Sequence, residues 1–308
     1  MTFKRLTAAA ALLAFPAAAQ QQDFSKVEIK TTKVAEGVFM LEGSGGNIGL
    51  STGPDGPLVI DDQYAPLSDK ILAAVKKQQA DKPVAFIVNT HFHQDHAGGN
   101  EAMAKLGARI IAHDNVRKRM VEGVKRPGFF DSAATAPGSW PVVTFPDRVT
   151  FFWNGDEITV WHPKPAHTDG DAIVEFKKAN VVHMGDVFFN GTYPFIDVFS
   201  GGDIDGYIAG VETALSRMND QTKIIPGHGP LATKADLAAT LVMLKDVRAR
   251  IAALVKRGLA EDEAVKADPL KDLNEKWGKG FANGEFVTRM VYKSLAAKAP
   301  AKGKKKGN

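Results

Sequence analysis

The chain has 308 residues, of which 44% are hydrophobic and 24% charged, and it contains no cysteine. This composition is typical of a globular protein, and the absence of cysteine excludes disulfide bonds, thiolate nucleophiles and thiolate metal ligands. The formal net charge is +4, but it falls to −3 once the two basic residues of segment 1–20 and the five lysines of segment 297–308 are removed. The central part is slightly acidic, which argues against nucleic acid as the partner.

Residues 1–20 have the pattern of a secretory signal peptide. Lys4 and Arg5 precede an apolar run over residues 6–15, and small residues follow up to Ala19. A positive start, a short apolar segment and an A-x-A site are the features that the export machinery and its peptidase recognise. The run is too short for a transmembrane helix, which needs about 20 apolar residues. We therefore expect cleavage after residue 19 or 20, a periplasmic or secreted protein, and no stable membrane insertion of the mature chain.

Residues 297–308 are predicted to form a disordered basic tail. Lysines alternate there with Ala, Gly and Pro, and no large apolar side chain is present. Such a segment cannot bury enough apolar surface to offset the entropy of ordering it. Residues 21–296 between the two ends are predicted to be one folded domain.

The first half of this domain is predicted to begin as a β-meander and to continue with alternating helices and strands. Short β-rich runs bounded by Gly, Pro and Asp indicate strands at 27–32, 38–41, 47–52 and 58–61. Helical spacing and apolar runs then indicate a helix at 67–79, a buried strand at 84–89, a helix at 100–106, a strand at 109–112 and a helix at 115–124. The Gly-rich and Pro-rich stretch 125–141 is predicted to be a long loop, and loops of that length are usually functional.

The second half repeats the order of strands followed by helices. Strands are predicted at 149–153, 157–161, 172–176, 181–184 and 223–225, and helices at 205–217, at 234–257 and through the C-terminal part to about 296. Two successive halves, each with strands before helices, indicate a layered α/β sandwich.

The stretch 91–96, which reads HFHQDH, is the most informative part of the sequence. It places three imidazoles and a carboxylate directly after a predicted buried strand. In extended backbone His91 and His93 point to the same side, and the turn through Asp95 brings His96 towards a second position. Imidazole and carboxylate are ligands that zinc prefers, so the pattern predicts a metal site; a solvated histidine-rich turn is the alternative.

Three further potential ligands lie where predicted strands end in loops. His167 lies in PAHTDG, Asp186 in HMGD and His228 in PGHG, and each has Gly or Pro beside it, as expected of a loop that bends towards a site. These nitrogen and oxygen donors predict zinc, and they are compatible with iron or manganese as well.

On these motifs the chain resembles the metallo-β-lactamase superfamily over about residues 34–231. The resemblance implies a four-layer αββα sandwich with a two-zinc site at one edge. It assigns His91, His93 and His167 to a first zinc, Asp95, His96 and His228 to a second, and Asp186 to both. It further implies that the two ions activate a shared water, and that Asp95 is the catalytic residue that orients this water and moves its proton.

The family catalyses several reactions, so three functions stay open. Aspartate at position 186 excludes the lactamase classes with cysteine there and resembles enzymes of the glyoxalase II, lactonase and phosphodiesterase type. The leading hypothesis is an exported hydrolase of a small amide, ester or thioester, with a β-lactam or lactone as substrate. One alternative is a phosphodiester or glyoxalase II-like thioester hydrolase. Another is a non-catalytic metal-binding accessory protein of a periplasmic oxidation system, against which the complete ligand set argues.

Three aromatic residues are candidates for contact with the small-molecule substrate. Tyr193 follows the predicted bridging ligand and offers a phenol for the substrate or its oxyanion, although core packing is the usual role of such a residue. Phe130 and Trp140 lie in the long loop and are candidates for an apolar wall over the metals.

Four other polar residues are weighed and not counted as ligands. The resemblance suggests that Asp61 supports the histidine loop, and an ordinary strand-end aspartate is the equal alternative. His113, His162 and His183 have apolar neighbours and are predicted to be packing or hydrogen-bonding histidines.

Overall fold

The computed structural model describes residues 23–127 and 131–298. The predicted signal peptide lies outside the described residues, as does the predicted tail from residue 299 onward. No helix within the described ranges combines the length and apolar character needed to cross a membrane.

The first sheet has seven strands that lie side by side in chain order. They are antiparallel from the first to the fourth strand and parallel from the fourth to the seventh. The strands are β1 Lys30–Ala35, β2 Val38–Glu42, β3 Ile48–Ser51, β4 Leu58–Ile60, β5 Phe86–Val88, β6 Arg109–His113 and β7 Val143–Phe145.

The second sheet has six strands, and its order is also that of the chain, from β8 at one edge to β13 at the other. The pair β11 and β12 is parallel, and the other neighbours are antiparallel. The strands are β8 Arg148–Trp153, β9 Asp156–Trp161, β10 Ile173–Phe176, β11 Val181–His183, β12 Lys223–Ile225 and β13 Ala232–Thr233.

Helices cover the outer face of each sheet. The helices α1 Ser68–Gln78, α2 Gln94–Ala97, α3 Asn100–Lys105 and α4 Asp114–Glu122 belong to the first half of the chain. The helices α5 Ile204–Arg217, α6 Lys234–Arg257, α7 Glu261–Lys266, α8 Asn274–Trp277 and α9 Gly284–Ala296 belong to the second.

Alternate residues of the central strands face different cores, and this alternation builds the layers. In β6, Ile110 packs with α1 and α3, whereas its neighbour Ile111 packs between the two sheets. In β12, Ile224 packs with α5, α6 and α9, whereas Ile225 packs between the sheets. Because successive strand residues point to opposite faces, both sheets are apolar on both sides. The predicted four-layer αββα sandwich is confirmed.

The predicted elements agree with most of the structure, and the differences are local. The helix predicted at 234–257 is α6, with Thr233 as its capping residue and Gly258 in the left-handed conformation at its end. The strand predicted at 27–32 is wrong in its bounds, because β1 begins at Lys30 after a short turn at Phe24–Lys26. The edge strand β7 and the two-residue β13 were not predicted.

The start of the predicted tail has defined contacts. Lys298, two residues beyond the end of α9, forms ion pairs with Asp203 at 2.5 Å and with Asp205 at 2.8 Å. Asp203 is the N-cap of α5, since its side chain accepts hydrogen bonds from the backbone of Asp205 and Gly206. A tail lysine therefore pairs with the beginning of that helix.

The parallel strands bring the predicted ligands to one edge. His91 follows β5, Asp61 follows the adjacent parallel strand β4, and His228 and Asp186 follow the parallel pair β12 and β11. Ligands in α/β proteins bind at the carboxyl ends of parallel strands, where the loops leave a crevice. The topology therefore gathers these residues although they are far apart in sequence.

We predict that Gly206→Ala destabilises the fold, because α5 lies so close to the loop before His167 that a Cβ at position 206 would overlap the carbonyl oxygen of Pro165. The expected loss is about 1–3 kcal/mol of unfolding free energy, as for other overpacked positions, measured by urea denaturation. Gly210→Ala in the same helix is the matched control. Its Cβ would lie 3.3 Å from the Pro163 side chain, so we expect little change; equal losses in both variants would contradict the prediction.

Candidate metal centre

The loop that carries the three neighbouring histidines is held from below by Asp61. This buried carboxylate follows β4 with a left-handed φ of 62°. It accepts hydrogen bonds from the backbone N–H and from the hydroxyl of Thr90, both at 2.7 Å. Thr90 is the residue before His91, so these bonds fix the start of the loop. The chain then turns at His93, which has extended backbone, into the short helix α2.

Four side chains form a first group of donors: His91, His93, His167 and Asp186. Their ligand atoms lie within 4.8 Å of one another. His93 Nδ1 is 2.9 Å from His167 Nε2, and Oδ2 of Asp186 lies 3.5 Å from His167 Nε2 and 3.8 Å from His91 Nε2. Three imidazole nitrogens and a carboxylate oxygen therefore converge on one point.

Three more side chains form a second group: Asp95, His96 and His228. His228 Nε2 lies 3.3 Å from His96 Nε2 and 3.4 Å from Oδ2 of Asp95. The other oxygen of Asp186, Oδ1, is 3.0 Å from His96 Nε2 and 3.4 Å from His228 Nε2. Asp186 therefore turns one carboxylate oxygen to each group, and the structure brings together all seven residues named from the sequence.

The donor set fits metal cations. His91 Nε2 is buried and has no hydrogen-bond partner among the described residues, although buried polar atoms are nearly always satisfied. This atom points into the first donor group. Nitrogen and oxygen donors that converge in this way are typical of sites for zinc, iron or manganese.

The ligand histidines are oriented from behind through their other ring nitrogens, as metal-binding histidines usually are. These nitrogens contact Thr90 Oγ1 at 3.1 Å for His91, Asp197 Oδ2 at 3.0 Å for His93, Asp61 Oδ2 at 2.7 Å for His96 and the carbonyl oxygen of Phe195 at 2.7 Å for His167. Each contact fixes the orientation of its ring and therefore the nitrogen that faces the donor group. This geometry favours the role of Asp61 in supporting the histidine loop over that of an ordinary strand-end aspartate.

Burial and charge set the protonation of the two groups. Burial lowers the pKa of His91 well below its usual value, so this imidazole is neutral. Burial would raise the pKa of Asp186, but His96 and His228 outweigh it and hold the pKa well below the usual range. Although burial opposes it, Asp186 raises the pKa of His228 to about 9. A cation that binds His228 at neutral pH must therefore displace a proton.

Two glycines allow the backbone to approach the donors. A Cβ at Gly46 would overlap the ring of His96, and a Cβ at Gly227 would overlap Oδ1 of Asp186. Any larger residue at these two positions would displace a donor, so the loops 43–47 and 226–229 are shaped around the site.

A cavity of about 920 Å³ opens above the donors. Its floor contains His93, Asp95, Asp186 and His228, and its walls come from the loops around residues 44–45, 131–136, 189–195 and 280–281. This volume is in the range of small-molecule sites. The long loop predicted at 125–141 therefore forms one wall of the cavity.

The predicted substrate contacts need correction. Tyr193 is 1% exposed, packs in the core with α5 and α6, and is not among the lining residues, because its neighbours Thr192 and Phe195 occupy that wall. Trp140 also lies outside the lining, since its indole donates to the carbonyl of Thr135 and its ring packs under Arg117. Phe130 falls outside the described residues.

The three histidines set aside lie outside both donor groups. His113 and His162 stack on each other with ring centroids 3.8 Å apart. His183 is fully buried and contacts the carbonyl oxygen of Asn47 at 3.0 Å. Their contacts are those of packing and hydrogen-bonding side chains.

The sequence analysis missed a buried ion pair next to His93. Arg126 donates through Nε at 3.0 Å and through Nη2 at 2.6 Å to Oδ2 of Asp197, the atom that also contacts His93. Burial would raise the pKa of Asp197, but hydrogen bonds from His93 and Arg126 lower it, so it is a carboxylate. A charged side chain is rarely buried unless it is paired, but nothing in the sequence shows that these two residues are buried.

Comparison with known families agrees with this geometry. The model of the metallo-β-lactamase superfamily matches residues 41–228, which is more than half of the chain. A solved metallo-β-lactamase from Pontibacter korlensis superposes with a TM-score of 0.61 at 19% identity, covering 71% of this chain and 100% of that one. The chain therefore belongs to the metallo-β-lactamase superfamily.

Two of the curated relatives carry the names of hydrolases. A hydroxyacylglutathione hydrolase from Polaromonas sp. is 29% identical over 52% of this chain and 57% of its own length. A type 2 metallo-β-lactamase from Bacillus sp. is 25% identical over 62% of this chain and 69% of its own length. The match thus spans less than two thirds of the first relative, and the two relatives differ in the substrate that their names state.

We predict that Asp197→Asn weakens metal binding by about 10–100-fold, as expected when the partner of a ligand histidine is lost. The amide oxygen is a weaker acceptor for His93 and leaves Arg126 without its counter-charge. The dissociation constant for zinc, measured by competition with a chromogenic chelator, tests this.

Glu175→Gln is the matched control for that variant. Glu175 is another buried carboxylate paired with an arginine, Arg217, through two hydrogen bonds, and it contacts neither donor group. A similar loss of zinc affinity in both variants would show that Asp197 acts only through general stability.

Proposed function

We propose that this chain is an exported hydrolase that holds two zinc ions and cleaves a small amide, ester or thioester, with a β-lactam or lactone as substrate. The observation that carries the proposal is Asp186, which presents one oxygen to each of two donor groups at the floor of a cavity large enough for a small molecule. Intact donors beneath an open cavity argue against a purely accessory role.

The residues divide between the two ions as the donor groups do. His91, His93 and His167 would hold one ion, Asp95, His96 and His228 the other, and Asp186 would touch both. When bound, the ions supply the chemistry of the site, since they lower the pKa of water towards 7 and polarise the carbonyl to be attacked. The all-nitrogen-and-oxygen donor set favours zinc and also suits iron or manganese.

Asp95 is the residue that we propose for proton transfer. It lines the cavity, and its side chain is 24% exposed, whereas that of Asp186 is 4% exposed. Burial would raise its pKa, but His96 and His228 lower the pKa of Asp95 to about 2, so it is a carboxylate at neutral pH. As a carboxylate it can take a proton from the attacking water and deliver it to the leaving atom, while the water oxygen bonds to the carbonyl carbon and the bond from that carbon to the leaving atom breaks.

Thioester hydrolysis is the second candidate. It is supported by the relative from Polaromonas, whose name states hydrolysis of hydroxyacylglutathione, and by the aspartate at position 186. Assays of the zinc-loaded protein against nitrocefin, an acyl lactone, a lactoylated thiol and an aryl phosphodiester would rank these functions.

The proposed export of the protein can be tested independently of its activity. The composition of residues 1–20 supports removal of a signal peptide. We expect the mass of protein recovered from the periplasm or medium of a bacterial host to correspond to a chain that begins at residue 20 or 21. Retention of the full-length chain in the cytoplasm would contradict export.

We predict two zinc ions per wild-type chain and about one per chain after His228→Ala, because His228 belongs only to the second donor group. Metal content is measured by plasma mass spectrometry after dialysis. His162→Gln is the control, since His162 lies in neither group, and it should keep two ions. A wild-type content of one ion or none would refute the two-metal proposal.

Replacing Asp95 by Asn should lower kcat by about 10²–10⁴-fold, the usual contribution of a positioned acid–base group. The amide retains an oxygen donor but cannot take a proton. The rate is measured with the best substrate of the panel on protein whose zinc content has been determined in parallel. Wild-type turnover by a variant with two zinc ions would remove Asp95 from the mechanism.

A further inference from the structure

We infer that the site takes an acyl substrate that has no anionic group and that places an apolar arm against Phe281. The inference rests on the proposed hydrolytic function and narrows its substrate class. Two separate features of the cavity carry it: the distribution of charge in the walls, and a cluster of phenylalanines that contributes to the lining.

The walls offer no cation to a substrate carboxylate. Among the described residues that line the cavity, Arg126 is the sole Lys or Arg. Its side chain is 2% exposed, donates twice to Asp197, and donates through Nη1 to Ser132 at 2.5 Å. Its charge is therefore already balanced by a buried carboxylate.

The walls also carry carboxylates, which disfavour an anionic substrate. Glu101 and Asp131 line the cavity and are both 44% exposed. Their partners, Lys105 and Lys125, are 71% and 88% exposed and are not lining residues. An anionic group on the substrate would therefore lose water without gaining a counter-ion in the walls, which is unfavourable.

Phe195 and Phe281 line the cavity and form an aromatic cluster with Phe286, which packs behind them. The ring of Phe281 lies 5.8 Å from each of the other two, and Phe195 and Phe286 are 5.5 Å apart. Phe195 also stacks on His93, with centroids 5.8 Å apart and planes at 14°. One apolar surface therefore runs from a metal-ligand candidate to the edge of the cavity.

Phe281 is the exposed end of this surface, since 69% of it is accessible to solvent. Ala133, Ala134 and Ala136 line the cavity as well and add apolar surface to its walls. Large apolar groups exposed next to a cavity mark sites of ligand contact. The substrate that fits is an uncharged ester or lactone with an alkyl or aryl arm, and carboxylate-bearing substrates, such as a β-lactam acid or a glutathione thioester, fit less well.

The test compares two esters of equal chain length that differ only at the far end. 4-Nitrophenyl octanoate ends in a methyl group, and mono-4-nitrophenyl suberate ends in a carboxylate. With the zinc-loaded full chain we expect kcat/KM to be about tenfold or more higher for the octanoate, with chelator-treated protein as the blank. Equal values, or a preference for the suberate, would overturn the inference while the hydrolytic function stands. Hydrolysis of neither ester, nor of any substrate in the panel above, would overturn both.

Two variants assign the preference to the residues named. Phe281→Ala should lower kcat/KM for the octanoate about tenfold and for 4-nitrophenyl acetate much less, because the acetate has no arm to contact the ring. Phe152→Ala, which removes a 79% exposed phenylalanine of β8 outside the cavity lining, should change neither value. Equal effects of Phe281→Ala on both esters would contradict the contact.

Ala134→Arg adds a cation to the cavity wall and should raise kcat/KM for the suberate relative to the octanoate by about tenfold. This variant gains a function, so misfolding cannot imitate the expected result. An unchanged ratio in a folded, zinc-loaded variant would show that wall charge does not set the preference.

Discussion

The structure depends on one carboxylate, Asp186, which lies between two groups of imidazoles and turns an oxygen to each. It is buried, and its two oxygens lie between 3.0 and 3.8 Å from imidazole nitrogens of the two groups. An ionised carboxylate in such a place is costly unless positive charge surrounds it. The histidines provide that charge while they are protonated. When the histidines are neutral, bound cations would provide it. The loops and glycines around the site serve to hold this arrangement.

The fold supplies the arrangement through two pairs of parallel strands. The pair β4 and β5 ends at Asp61 and the histidine loop, and the pair β11 and β12 ends at Asp186 and His228. Packed face to face, the two sheets bring these ends together at one edge. Carboxylates and a carbonyl oxygen behind the histidines then fix which ring nitrogen faces inward. Metal affinity and cavity shape are linked there, because Arg126 holds Asp197 and also begins the loop that forms a cavity wall.

The sequence predicted the features that local pattern determines. Hydrophobic periodicity indicated a layered α/β sandwich and long helices such as α6, and the family resemblance implied its four layers. The HFHQDH motif with three Gly- or Pro-flanked donors identified the residues that converge. Features that depend on distant contacts were not predictable. Asp197 and Arg126 are 71 positions apart, and nothing local pairs them. Tyr193 looked suited to a substrate contact because it follows Asp186 in an aromatic stretch and offers a phenol, but its side chain packs in the core while Thr192 and Phe195 line the cavity. The edge strand β7 has few apolar contacts, so its pattern is weak.

The most direct measurement is anomalous X-ray diffraction from crystals of the zinc-loaded protein, collected on both sides of the zinc absorption edge. We expect two anomalous peaks, one on each side of the Asp186 carboxylate, with the ring nitrogens of His91 and His167 around the first and those of His96 and His228 around the second. A single peak, or peaks that do not contact Asp186, would contradict the central claim.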